Sequence, residues 1–177
     1  MSSLEIVFKK VEELTPQELV EMNEVDHLAF YEEDGDDPWW QEWAAPEMRF
    51  LGKEAGLVVS TVGLIRREIL VGEKVCHIGG IGGVATLPAR QRMGFAGRLM
   101  EASTDHMRYD PWYEYGMLFC DPKRISYYAK SGYSLIENRI YIRRNGERVP
   151  FVDTCMALPL RGSEFPAGDV DCQGMPW

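Results

Sequence analysis

Residues 79–97 read GGIGGVATLPARQRMGFAG, six glycines in 19 positions. An apolar, β-branched run ends at Thr86, and the period changes after Pro88. Phe95, Leu99, Ala102, Thr104 and His106-Met107 fit a helix from about Arg92 to Arg108, stopped by Asp110-Pro111. A strand that gives way to a loop and then a helix leaves free N–H groups at the helix start, where the helix dipole favours an anion. Gly94 and Gly97, with the small Ala96 between them, let a diphosphate approach the backbone closely, and Arg90 and Arg92 can add charge at the rim.

Other readings of the stretch compete. A Walker loop needs GxxxxGK[S/T], which the chain lacks. A dinucleotide fingerprint matches literally at Gly80-Ile81-Gly82-Gly83-Val84-Ala85. Its helix would have to run through Thr86-Leu87-Pro88, and the match follows two hairpins instead of opening a βαβ unit. A plain strand-to-helix turn that uses glycine only for geometry is the bland alternative.

Outward from this stretch the pattern is that of an α+β protein. Glu5 to Val11 alternates as a first strand. Thr15-Pro16-Gln17-Glu18 is a capping box opening a helix through about Phe30. YEEDGDDPWWQEWAAPE, residues 31–47, puts five acids in seven positions ahead of three tryptophans; it reads as a loop with a short helix from about Pro38. Three antiparallel strands follow, broken at KEAG and VGEK. Tyr115 to Cys120 is a short strand, and Asp121-Pro122 caps a helix running to Lys130 and closed by Gly132. Two further strands, about Tyr133 to Arg143 and Val149 to Leu158, are joined by an Arg-Asn-Gly-Glu turn. The tail from 159 is rich in Gly and Pro. One domain over 1–177 is expected, with a mixed, mostly antiparallel sheet of about seven strands flanked by about four helices.

Composition narrows the function. Hydrophobic residues make up 45% and charged residues 27% of 177, ordinary for a globular protein. No apolar run approaches a membrane span, and MSSLEIVFKKVEEL lacks the form of a secretory signal, so no membrane association is expected and the cytoplasm is the default. The net charge of −9 disfavours nucleic acid and is compatible with a cationic substrate. Cys76, Cys120, Cys155 and Cys172 stand far apart and form no CxxC pair. His27, His77 and His106 show no ligand spacing, so no metal is expected.

Val84 to Ala96, V-A-T-x-P-x-x-Q-R-x-G-x-A, resembles the acyl-CoA signature of the GNAT N-acetyltransferases, Q/R-x-x-G-x-G/A, with Gln91, Gly94 and Ala96 in its fixed positions. DPKRISYYAKSGY, residues 121–133, resembles that family's N-x-x-A-x-x-x-Y-x-K-x-G-F segment. Tyr128, Lys130, Gly132 and Tyr133 fall in register, with Asp121 where Asn is usual. The resemblance covers most of the chain. It implies the GNAT fold and acetyl-CoA as co-substrate. Val84, Ala85 and Thr86 would pair with the pantetheine arm. Gln91, Arg92, Met93, Gly94, Phe95, Ala96 and Gly97 would hold the diphosphate, and Asp121 would stand in the same coenzyme site.

It also implies transfer of acetyl to an amine by direct attack, which needs a proton acceptor, a polarised carbonyl and a protonated thiolate. Tyr128 matches the family's general acid, with Tyr127 as a neighbouring rival. Within the family the closest pattern is that of aminoglycoside 2′-N-acetyltransferases, which carry a Glu where this chain has Gly82. Two substitutes stand in for that missing base. One is the acidic stretch, Glu32, Glu33, Asp34, Asp36 and Asp37, with Trp39, Trp40 and Trp43 to stack on a polyamine or aminosugar. The other is the terminal carboxylate of Trp177, on a tail that in the resembling enzymes folds back over the acceptor pocket. A weaker likeness to nodulation N-acyltransferases over 47–85 keeps a longer acyl group open. A non-catalytic acyl-CoA-binding module presenting the Trp-rich loop to a protein partner is the alternative. Edge strands leave a homodimer open.

Overall fold

The structure, a computed structural model, describes residues 4–34 and 43–177. Among them a ten-stranded mixed sheet organises three α-helices. Strand β1 (Glu5–Lys10) pairs antiparallel with β2 (Met48–Glu54), which pairs with β3 (Leu57–Val71), which pairs with β4 (Lys74–Thr86). The two hairpin turns fall at KEAG and VGEK as expected. Ala55 and Gly56 both adopt positive φ, 51° and 84°, the conformation a two-residue hairpin turn demands.

Helix α1 (Pro16–Asp34) starts where the capping box predicts. The Thr15 hydroxyl accepts from the Glu18 amide at 3.2 Å and Glu18 accepts from the Thr15 amide at 2.8 Å. Glu18 also receives Lys53 and Lys9 ammonium groups at 2.7 and 2.8 Å, so one buried carboxylate both caps α1 and ties it to β1 and β2. Lys53, Lys9 and the Thr15 amide hold its pKa down at about 2. The helix runs four residues past Phe30, so Glu32, Glu33 and Asp34 are helical and not loop. No Gly or Pro intervenes before Gly35, and three acids at the helix C-terminus do not outweigh that continuity.

Helix α2 (Phe95–Tyr109) covers one face of the sheet through Leu99, Met100 and Met107, each fully buried. Sealing such a side chain from water contributes about 1.5–3 kcal/mol. Helix α1 packs Met22 and Val25 on Leu51, Val58 and Ala85 of the other face. After α2 come β5 (Tyr115–Cys120), parallel to β4, and the short α3 (Ile125–Ala129).

The C-terminal third departs from expectation. Four strands replace two: β6 (Ser134–Leu135), β7 (Ile140–Arg144), β8 (Glu147–Phe151) and β9 (Thr154–Pro159). β6 and β9 extend the sheet beyond β5, whereas the β7–β8 hairpin joins it at the far end of β3, through β10. The tail supplies β10 (Val170–Asp171), parallel to β7 and antiparallel to the end of β3, where the Gly- and Pro-rich run offers no strand to expect. Val170 and Cys172 are fully buried against Ile69 and Ile78, and that burial gives the short strand its place. The fold is the expected α+β architecture, with more and shorter strands. The helix expected from Pro38 lies outside the described residues.

Candidate active site

β4 and β5 pair only from Ile78↔Tyr115 to Ile81↔Leu118. Beyond that point the two strands part, and β4 continues to Thr86 with no ladder on its β5 side. A bulge against β3, between Thr61 and Gly63, shifts the register of β4 here. Gly83 sits in the bulge at φ 55°, a conformation that disfavours any residue with a Cβ. Val84, the next residue, lines a cleft of about 1400 Å³ between the parted strands and α1. Main-chain groups at 84–86 are thereby placed where an extended ligand could add to the sheet.

One end of that strand leads to α2. Gly94 takes φ 81° at its N-cap and offers no side chain to the first-turn amides. Beyond the adjoining backbone, no atom of the described residues lies within 4 Å of where a Cβ on Gly94 or Gly97 would sit, so the turn is open. The helix begins at Phe95, three residues later than the periodicity predicts, because Arg92 (φ 63°) and Gly94 break helical φ. The Gln91 side chain tethers the loop by donating to the Thr86 carbonyl at 3.4 Å. Arg92 and Met93 are exposed, Phe95 is buried in the core and Ala96 is half-buried. Arg90 is not a free rim charge: its guanidinium is paired with Glu54 of β2.

Tyr128, on α3, is buried at 7% exposure and lines the cleft with Val84. Tyr127 turns to the core instead, where its hydroxyl is buried without a hydrogen-bond partner and burial pushes its pKa up. Asp121 accepts from the Lys123 amide at 2.8 Å and so caps the turn that launches α3 at the cleft edge.

The opposite wall is the tail. A Cβ on Gly80 would lie 2.5 Å from the Trp177 indole, and one on Gly82 would lie 2.9 Å from the Trp177 main-chain carbonyl carbon. These glycines make room for Trp177, which is 4% exposed and donates its indole N–H to the Met117 carbonyl at 3.3 Å. Phe119 packs on the indole with centroids 4.9 Å apart, Arg67 lies 5.2 Å over it, and the Ala44 amide donates to Pro176. Trp43 completes the aromatic wall against Phe119 and Phe151. The space a Glu side chain at 82 would enter is therefore filled by the tail.

The acetyltransferase (GNAT) domain family matches residues 10–136, more than half of the chain. The chain belongs to the GNAT acetyltransferases. No curated protein matches it in sequence. Solved structures share the fold at low identity. A GNAT family acetyltransferase from Brucella melitensis, in complex with acetyl-CoA, is 22% identical with a TM-score of 0.64, and 94% of each chain is covered. An acyl-CoA N-acyltransferase from Pseudomonas aeruginosa is 15% identical with a TM-score of 0.65, covering 88% of this chain and 99% of that one. The Escherichia coli protein YhbS, in complex with CoA, is 15% identical with a TM-score of 0.63, covering 97% and 91%.

In this GNAT chain Asp36, Asp37, Trp39 and Trp40 lie outside the described residues. No three His, Cys, Asp or Glu among the described residues gather as a metal site, and no described helix is long and apolar enough to cross a membrane. Cys76 and Cys155 are buried free thiols, as is Cys172, and Cys120 is half-buried.

Sequence reasoning missed Asp26 of α1 and Arg49 of β2. Both line the cleft, with Arg49 Nη2 3.4 Å from Asp26 Oδ2 and Nη1 3.3 Å from the Thr61 hydroxyl. Burial raises the Asp26 pKa to about 6, against the lowering pull of Arg49. A lone acid in mid-helix carries no signal that separates it from a solvated face, and an Arg at a strand start carries none either.

Proposed function

We propose that this GNAT enzyme transfers acetyl from acetyl-CoA to a primary amine on a small cationic acceptor, aminoglycoside- or polyamine-like, by direct attack. Tyr128 serves as the general acid. The observation that carries the reading is the convergence of Val84 and buried Tyr128 on one cleft, at the point where β4 and β5 part. Pantetheine would run along 84–86. The amides from Arg92 to Gly97, in the loop ahead of α2 and in its first turn, would receive the diphosphate, and no side chain among the described residues caps or fills that turn. A strand amide near Val84 would polarise the thioester carbonyl, and Tyr128 would protonate the leaving thiolate.

Trp177 and Trp43 would form the acceptor side, where stacking suits an aminosugar ring or an alkyl-ammonium chain. The acids at 32–37, carried in part by the end of α1, would draw a cation toward that opening. Gly82 does not argue for a dead enzyme, because the tail and not a lost side chain explains the glycine.

Thiol release from acetyl-CoA, followed across a panel of aminoglycosides and polyamines, tests the proposal. Acetylation of at least one amine is expected. Silence across the panel with acetyl-CoA still bound would leave a coenzyme-binding module in its place.

A further inference from the structure

We propose that Asp26 is the acceptor-side anchor and proton acceptor of this site, binding the substrate's primary ammonium and taking its first proton; this assignment rests on the transferase reading above. Three observations outside the sequence motifs carry it. Asp26 lines the same cleft as Val84 and Tyr128, with about a quarter of its side chain exposed (24%). Its carboxylate is underpaired: among the described residues Oδ1 is buried with no hydrogen-bond partner, and Oδ2 has one long contact, 3.4 Å, to Arg49. A carboxylate withdrawn from water without its full set of donors gains most from a ligand that brings N–H donors and positive charge, which an alkylammonium does threefold.

The pair also sits beside the chemistry. Arg49 reaches under the bulge so closely that a Cβ on Gly83 would lie 2.9 Å from its Nη1. Gly83 is the residue before Val84, so the Arg49–Asp26 pair flanks the main chain assigned to the thioester. Meanwhile β4 offers no acid of its own, since Gly82 is covered by Trp177. The charged and titratable groups facing this part of the cleft are Arg49 from β2, His27 on Asp26's own helix, Asp121, Lys123, Arg124 and Asp153 on the opposite wall, and the main-chain carboxylate of Trp177 beside Gly82. Arg49 alone among them acts on the Asp26 carboxyl, whose pKa of about 6 suits a base that must be ionised at neutral pH yet accept a proton.

The ammonium gives one proton to Asp26, and the freed lone pair forms the C–N bond at the thioester carbonyl carbon. The C–S bond breaks with its pair passing to sulfur, which takes the Tyr128 phenol proton. The phenolate then recovers the second nitrogen proton. Asp26 releases its proton to water, so the products are the amide, CoA thiol and one proton.

Two measurements on the full chain test the assignment. In the CoA-bound protein, carboxyl ¹³C resonances of labelled aspartate, with Asp26 assigned through Asp26→Asn, are titrated with and without n-butylammonium chloride against matched sodium chloride. The amine should lower the Asp26 pKa by about one pH unit or more, as an opposite charge within contact distance does. An unmoved Asp26 overturns the assignment, whatever the enzyme acetylates. With an amine that the panel shows to be acetylated, Asp26→Asn should cut kcat by about 100-fold or more and remove the acid limb of kcat/KM near pH 6, with CoA affinity unchanged as the check on folding. Arg49→Gln should move that limb to higher pH, because it removes the charge that favours ionised Asp26. Normal turnover with an unaltered limb in both variants overturns the proposal while leaving the transferase intact. A lowered Asp26 pKa with no amine acetylated keeps the ammonium site and overturns the transferase.

Discussion

The two sides of the proposed site, its coenzyme and acceptor walls, are built by different rules. The side proposed for the coenzyme is local in sequence: running on from Val84 at the cleft edge, Thr86, Gln91, Gly94 and the first turn of α2 lie within a dozen residues, and their geometry follows from Pro88, from positive φ at Arg92 and Gly94, and from helix period. The side proposed for the acceptor is assembled from afar. It brings together Asp26 of α1, Trp43, Arg49 of β2, Phe119 of β5 and Trp177 of the tail. A short motif can specify the first wall, whereas only tertiary packing specifies the second. The conserved chemistry of a coenzyme and the variable shape of an acceptor would each be served by its own kind of wall.

Substitutions should separate the walls. The largest effect belongs to the residue where they meet: Tyr128→Phe should lower turnover by about 100-fold or more at unchanged acetyl-CoA affinity, read by thiol release and calorimetry. Gly80→Ala strikes the acceptor wall alone. Its methyl would sit 2.5 Å from an indole pinned by Phe119 and the Met117 carbonyl, so the tail must shift. A loss of about 2 kcal/mol in stability and a raised acceptor KM are expected, with acetyl-CoA binding intact. Chemical denaturation and steady-state kinetics check both.

Glu18→Gln tests how firmly the acceptor wall hangs on the sheet, since Glu18 ties α1, and with it Asp26, to Lys9 and Lys53. A loss of about 2 kcal/mol is expected. In the native chain the folded pKa of about 2 lies below the unfolded value. The Glu18 contribution is therefore complete above about pH 4.5 and fades as pH falls toward 2. Denaturation midpoints measured down that range should show this acid-side decline, and Glu18→Gln should flatten it. The smallest effect concerns the acids at 32–37: KM for a cationic acceptor should rise modestly between low and 0.2 M salt, where screening shortens to less than about 10 Å. A flat KM would make that stretch a solvated face.

The same division explains what could be read in advance. The capping box at Thr15 and Glu18, the hairpin at Ala55-Gly56 and the turn at Asn145-Gly146 are local chemistry, and each stands where its residues point. The break between β8 and β9 at Val152-Asp153 carries no Gly or Pro, so the run reads as one strand. Strand β10 is two residues long and exists because Val170 is buried between β3 and β7. Gly80 and Gly82 look like part of a ligand loop, yet their glycines answer to Trp177, almost a hundred residues away. Asp26 was invisible because its meaning lies in Arg49, on another element.

Calorimetric titration of acetyl-CoA into three proteins, the native chain, Gly97→Asp and Gly80→Ala, tests the central claim most directly. Residue 97 faces open space in the first turn of α2, where an acid suits the helix dipole and should not harm the fold, but it would repel a diphosphate by about a factor of ten in Kd. The account predicts weakened binding in Gly97→Asp, without loss of thermal stability, and native affinity in Gly80→Ala. Native affinity in Gly97→Asp, or equal weakening in both variants, would contradict it.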